Sequence, residues 1–190
     1  MKYAQIREMD VTNGNGIGVA LFTQGCPYHC KNCFNQETWD FNKGTDWTKE
    51  TENRIIELLK PEYITRLTIL GGEPLIERNI EPLTALLKRV KSVYPDKQVW
   101  LYTGGDFEVL EGLYEEIFQY IDVLIDGRYI DDLRDYKLKW RGSSNQRIIF
   151  MRKPTEKCDF KYYVSLFDDN GYTIEEYNKD AKIVFSTLRE

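Results

Sequence analysis

Histidine occurs once in this 190-residue chain and cysteine only four times. A second group of soft ligands is therefore missing. Cys26, Cys30 and Cys33 fall within eight positions of one another, and Cys158 stands alone. Structural zinc sites usually complete four ligands by pairing two short knuckles, and no second knuckle exists here. His29 is adjacent to Cys30, a poor spacing for holding the same ion. A disulfide framework is excluded as well, because three clustered thiols cannot staple distant parts of a fold. A thioredoxin-type reading of Cys30 and Cys33 would leave Cys26 without a purpose.

Other absences narrow the class further. No apolar run approaches membrane-spanning length, and "MKYAQIREMD" carries charges where a secretory signal would need an apolar centre. A cytoplasmic location is the expectation. Excess positive charge is also lacking: 26 Lys and Arg against 31 Asp and Glu give a net charge of −5. The chain thus offers no global attraction to nucleic acid or to an anionic membrane. There is no internal repeat and no Pro/Ser-rich linker, so residues 1–190 read as one domain, with a core over about 1–151 and a C-terminal extension over about 152–190.

What the chain does contain is an alternation of short strands and amphipathic helices. "IGVALFTQG" (17–25) predicts a strand running directly into the cysteines. "DWTKETENRIIELLK" (46–60) predicts a helix stopped by Pro61. Strand "RLTIL" (66–70) precedes a helix over about 79–93, and strand "QVWLY" (98–102) precedes a helix over about 106–119. "IDVLI" (121–125) and "RIIFM" (147–151) complete the set. In the tail, "KYYVSLF" and "KIVFS" read as strands of a small β-rich extension.

Strand–helix alternation predicts right-handed βα units, parallel strands and an α/β fold, either a barrel or an open doubly wound sheet. A complete eight-unit barrel needs about 250 residues, so a barrel here would be a partial, open TIM-like one. The cysteine loop, Gly71-Gly72-Glu73, Thr103-Gly104-Gly105 and Asp126-Gly127 each follow a predicted strand. They should gather at the carboxyl-terminal edge of the sheet, where such folds place ligands.

Thiolates favour zinc or iron-sulfur. Three of them on one loop can hold three irons of a four-iron cluster and leave the fourth iron without a protein ligand. An open coordination position is a reactive one.

Cys26-x-x-x-Cys30-x-x-Cys33 followed by Phe34 resembles the cluster loop of the radical S-adenosylmethionine enzymes. The resemblance implies a [4Fe-4S] cluster held by these cysteines, with S-adenosylmethionine on the open iron. It implies further that one electron from the reduced cluster cleaves the sulfonium, giving a 5′-deoxyadenosyl radical that takes a hydrogen atom from the substrate. Gly71-Gly72-Glu73-Pro74 is similar to that family's "GGE" segment, where bare backbone can approach the methionine end of the ligand. By the same resemblance Asn32, Cys33 and Phe34 border the adenine and Gly72 the amino group. Thr103 and Asp126 become candidates for ribose, methionine or cation contacts.

With Cys158 as the one cysteine outside the loop, no auxiliary cluster can be built. "VTNGNG" (11–16), "CFNQETWDFNKG" (33–44), "GGEPL" (71–75), "IDVLIDGRYI" (121–130) and "WRGSSNQRII" (140–149) together resemble the activating enzymes of anaerobic ribonucleoside-triphosphate reductases. "RGSSNQR" is the most specific, since no general fold requirement explains it. The implied substrate is a glycine in a loop of the reductase, left as a glycyl radical after loss of its α-hydrogen. The implied electron donor is a low-potential protein such as flavodoxin. Activation of another glycyl-radical enzyme such as pyruvate formate-lyase, or a non-catalytic cluster or zinc module, is the alternative.

Overall fold

The computed structural model describes residues 1–151 and the strand 183–185. Cys158 and "KYYVSLF" lie outside the described residues. Eight strands form one open sheet in the order β3-β1-β2-β4-β5-β6-β7-β8. They are β1 (Lys2–Asp10), β2 (Ile17–Thr23), β3 (Thr45–Asp46), β4 (Ile64–Gly71), β5 (Gln98–Tyr102), β6 (Val123–Asp126), β7 (Arg147–Phe150) and β8 (Ile183–Phe185).

The centre of the sheet is the expected part. Strands β2, β4, β5 and β6 are parallel neighbours in chain order. Their crossovers carry α1 (Lys49–Leu58), α2 (Glu77–Val93), and the pair α3 (Phe107–Leu113) and α4 (Glu115–Phe118). Because the order never reverses, right-handed crossovers put every helix on the same face of the sheet. A doubly wound sheet is thereby excluded. The main core is the interface between that face and the helices: Leu21, Leu67, Ile69 and Leu101 meet Ile55, Leu83, Leu87 and Ile117, all fully buried. The opposite face carries Ala20, Phe22, Leu70 and Tyr102, together with the buried Arg66 and Thr68.

Thr48 caps α1, its hydroxyl accepting from the Thr51 N–H at 3.2 Å. The single helix expected over 106–119 is instead two, broken at Tyr114, whose φ of −135° is not helical. Gly112 weakens the last turn of α3, and the break allows Ile117 and Phe118 to turn into the core.

An all-parallel sheet is not what forms. Strand β1 pairs antiparallel with β2, and β7 pairs antiparallel with β6. The segment between β6 and β7 contains no crossover α-helix, only the 3₁₀ turn Asp131–Leu133, so the chain simply returns beside β6. Strand β1 has no sequence-stretch of clear alternation because it is largely half-exposed, with only the two-residue β3 on its outer side.

Candidate functional site, a thiol-lined cavity at the sheet edge

Strands β2, β4, β5 and β6 deliver their following loops to one edge of the sheet, as Thr23↔Gly71 and Tyr102↔Ile125 pairing requires. There, Cys26, Cys30 and Cys33 line a cavity of about 100 Å³ together with Gly71, Gly72, Glu73 and Thr103. It adjoins a larger cavity of about 520 Å³ on the helix-free face, which Cys33 and Phe34 also line.

The cysteine loop is tied at its base. The Gly25 N–H donates to the Thr38 carbonyl at 2.7 Å and the Cys26 N–H to Trp39 at 3.1 Å. Arg78, from the first turn of α2, donates to the Gln24 carbonyl at 2.7 Å. Between these anchors the chain bends through left-handed backbone at His29 and Asn32, with φ of 46° and 55°. His29 stacks on Trp39 at 4.8 Å rather than facing the thiols. Cys26 is buried, and Cys30 and Cys33 are half-buried; none is paired in a disulfide. Burial, reinforced by the charge of Glu73, pushes the Cys26 thiol up against the backbone N–H groups of Tyr28 and His29.

A single zinc ion would need thiolates converging to about 4 Å of one another. Among the described residues no three His, Cys, Asp or Glu side chains meet that way. Three free thiols around one cavity are the donor set a polynuclear iron-sulfur cluster takes.

The Gly71-Gly72-Glu73 segment closes onto the same loop. The Gly72 N–H donates to Thr23 at 2.9 Å and the Glu73 N–H to Gly25 at 2.8 Å. A Cβ on Gly72 would lie 2.4 Å from the Gly25 carbonyl oxygen, so this position admits no side chain. Gly72→Ala is therefore expected to cost about 1–3 kcal/mol by forcing two backbones apart, read as a lower urea midpoint and poorer iron retention. Gly112→Ala, whose Cβ would meet nothing within 4 Å, is the matched control and should be neutral or stabilising.

Glu73 is 1% exposed. Burial raises its pKa, opposed by the Gly104 N–H, the Thr103 hydroxyl and the Leu75 N–H. Its Oε1 accepts from Thr103 Oγ1 at 2.7 Å and from Leu75 N at 2.9 Å, and its Oε2 from Gly104 N at 2.7 Å. Thr103 thus spends its hydroxyl proton on Glu73 and fixes the β4 and β5 loops to each other.

Two of the expected site residues are not brought to either cavity. Asn32 donates to Asp131 at 2.7 Å, bridging the cysteine loop to the segment after β6. Asp126 lies on the helix side of β6, in step with Leu124. Its carboxylate accepts from the Phe107 N–H at 3.0 Å and from Arg147 Nε at 2.9 Å. Arg147 continues to Glu108 with two bonds of 2.8 Å.

Sequence reasoning did not single out Tyr28, Tyr102, Tyr129 and Gln146, all of which line the thiol cavity. Gln146 had a signal, since it belongs to "RGSSNQR". Its Oε1 accepts from the Gly142 and Ser143 N–H groups and its Nε2 donates to the Gly127 carbonyl. That string folds into a clasp on the loop after β6, and brings Gly142 and Tyr129 against Phe34.

The profile of a family described as "4Fe-4S single cluster domain" matches residues 12–149. The anaerobic ribonucleoside-triphosphate reductase-activating protein of Vibrio cholerae is 42% identical over 150 residues, 78% of this chain and 97% of the relative. The protein of the same name from Haemophilus influenzae is 43% identical over 150 residues, with the same coverage. Its counterpart in Enterobacteria phage T4 is 41% identical over 148 residues, 78% of this chain and 93% of the phage protein. At such identity over nearly the whole of each relative, and with the family profile spanning 12–149, this chain belongs to the family of anaerobic ribonucleoside-triphosphate reductase-activating proteins, with a 4Fe-4S single cluster domain.

Proposed function

We propose that the chain is a radical S-adenosylmethionine enzyme that installs a glycyl radical on an anaerobic ribonucleoside-triphosphate reductase. The observation that carries this reading is one cavity lined by three free thiols and the Gly71-Gly72-Glu73 backbone, opening toward a larger cavity beside Phe34. Cys26, Cys30 and Cys33 would ligate the [4Fe-4S] cluster. Gly71, Gly72 and Glu73 would border the methionine end of S-adenosylmethionine, and Cys33 and Phe34 the adenosine end. When bound, cluster and S-adenosylmethionine supply a one-electron cleavage whose carbon radical takes the α-hydrogen of the target glycine.

The chain's own residues shape the place where this occurs. Thr103 holds Glu73, so the two loops that flank the cavity move as one. Asn32 and Asp126 act at a distance, Asn32 by tying the cysteine loop to Asp131 and Asp126 by fastening α3 to β7. An open sheet with all helices on one face supports the further reading of a partial TIM-like barrel. The helix-free face would be its inner wall, wide enough to admit a loop of the partner. We place the protein in the cytoplasm as one catalytic domain, core 1–151 and extension 152–190, reduced by a low-potential donor such as flavodoxin. No helix among the described residues is long and apolar enough to cross a membrane.

Anaerobic reconstitution with iron and sulfide, reduction, and addition of S-adenosylmethionine test the reading by electron paramagnetic resonance with and without the reductase. A four-iron signal, release of 5′-deoxyadenosine and a glycyl doublet on the reductase are expected. Tight binding of one zinc and no cluster would overturn the whole reading. Cleavage without a glycyl radical would overturn the partner alone.

A further inference from the structure

Four residues line both the thiol cavity and the larger one: Cys33, Tyr102, Tyr129 and Gln146. They mark the junction that any ligand reaching from the cluster toward Phe34 must cross. Three of the four have their polar atoms committed. Cys33 belongs to the thiol set, Tyr129 donates its hydroxyl to Asp131 at 2.9 Å, and Gln146 uses both ends of its amide on Gly142, Ser143 and Gly127. The hydroxyl of Tyr102 is different: it is buried and has no hydrogen-bond partner among the described residues. Leaving a buried hydroxyl unpaired is unfavourable, and such groups in native proteins are nearly always satisfied by a protein, water or ligand partner.

The register explains why this residue reaches the junction. Tyr102 is the last residue of β5, and its ring packs with Phe22 and Leu70 on the helix-free face. The next residue, Thr103, is already turned to Glu73. Tyr102 is thus the topmost side chain of β5 on the inner wall, directly before the loop that borders the cavity.

We propose that Tyr102 is a ligand-binding residue, its hydroxyl donating a hydrogen bond to an oxygen of S-adenosylmethionine where the ligand crosses from the cluster cavity to the adenosine cavity. The inference rests on the radical S-adenosylmethionine reading of the site. Two acceptors are within the ligand's middle reach, a ribose oxygen and the methionyl carboxylate, and they share the same chemistry. Burial keeps the Tyr102 phenol protonated, with the charges of Arg66 and Asp10 also acting on it, so it has a proton to donate to either.

Tyr102→Phe removes the oxygen and keeps the ring. The test is calorimetric titration of the cluster-loaded protein with S-adenosylhomocysteine, which cannot be cleaved, so the readout is independent of activity. The variant should keep its iron content and bind about tenfold more weakly. Repeating the titration with 5′-methylthioadenosine, which has the ribose and no carboxylate, names the oxygen. A loss that persists assigns the ribose, and a loss confined to S-adenosylhomocysteine assigns the carboxylate; either supports the proposal. Equal affinity of Tyr102→Phe and wild type for S-adenosylhomocysteine would overturn it, and a shifted melting temperature with unchanged affinity would mean that the hydroxyl serves the fold alone. If the wild-type protein with full iron neither binds S-adenosylhomocysteine nor cleaves S-adenosylmethionine, the radical reading itself fails, a result distinct from failure of the Tyr102 proposal.

Discussion

Cys30→Ala is expected to reduce iron in the reconstituted protein from about four per chain to background, and with it all release of 5′-deoxyadenosine. The argument is one of ligand supply. Three thiols line the cavity; on the proposed reading they would hold three of the four irons, and losing one would leave too few anchors to retain the cluster. The fold should survive, because Cys30 is only half-buried and its loop hydrogen bond, its carbonyl accepting from the Cys33 N–H at 3.1 Å, is a backbone one that alanine keeps. Thermal unfolding of the iron-free variant within about 1 kcal/mol of the iron-free wild type would separate a missing ligand from a misfolded chain. His29 supplies the internal contrast. Its ring is stacked on Trp39, so His29→Asn, which still tolerates the left-handed backbone, should retain full iron and activity. Iron retained in Cys30→Ala, or lost in His29→Asn, would break the three-thiol assignment.

The loop that carries this prediction was legible in the sequence because its chemistry is written in contiguous residues. So was the gathering of four strand-following loops on one edge, since glycine punctuation after short β-branched runs is a local signal. The limits of the reading come from strands buried on both faces. In "VLID" (123–126) the residues before Asp126 are apolar on both faces of the strand, so alternation does not say which way Asp126 points. The structure answers with Leu124, which faces the helices and takes Asp126 with it. Tyr102 is the mirror case: nothing in "QVWLY" distinguishes the helix-free face from the helical side until Leu101 is seen in the main core. Strand directions at the sheet's flanks were equally hidden. Whether the chain crosses over or returns depends on the segment between β6 and β7 failing to build an α-helix, a tertiary outcome of the "RGSSNQR" clasp rather than a property of either strand. Thr103 lines the cavity with its hydroxyl proton given to Glu73, a pairing across 30 residues that no local pattern announces.

Asp10→Ala is expected to be the most destabilising single change on the helix-free face, about 3–5 kcal/mol. Arg66 is fully buried there and Asp10 is 3% exposed. The guanidinium donates to Asp10 Oδ1 at 3.0 Å and to the Asp10, Asn15 and Gly16 carbonyls, and to Thr68 Oγ1 at 2.6 Å. The segment "VTNGNG" is shaped by this contact. A Cβ on Gly14 would stand 2.8 Å from Arg66, and one on Gly18 2.4 Å. Removing the carboxylate leaves a buried cation with neutral acceptors only. Asp10→Ala combined with Arg66→Met should recover much of the loss, since an apolar pair avoids burying either charge. The pH dependence has a definite sign. Burial alone would raise the Asp10 carboxyl, but the Asn13 N–H, the Arg66 guanidinium and the Asn13 side chain outweigh it and hold it below its ordinary 3.8. A lowered folded-state value means stability that is present above pH 3.8 and is lost as pH falls through the folded value. Urea midpoints should therefore differ between wild type and Asp10→Ala at pH 7 and converge toward strongly acid pH; a constant gap across that range would refute the charge-pair account. The effect should also reach the larger cavity, because Thr12 and Asn13 line it and Asn13 is held by both Asp10 oxygens, at 2.9 and 2.7 Å. The wall that would face an entering loop of the partner is set by an ion pair beneath it.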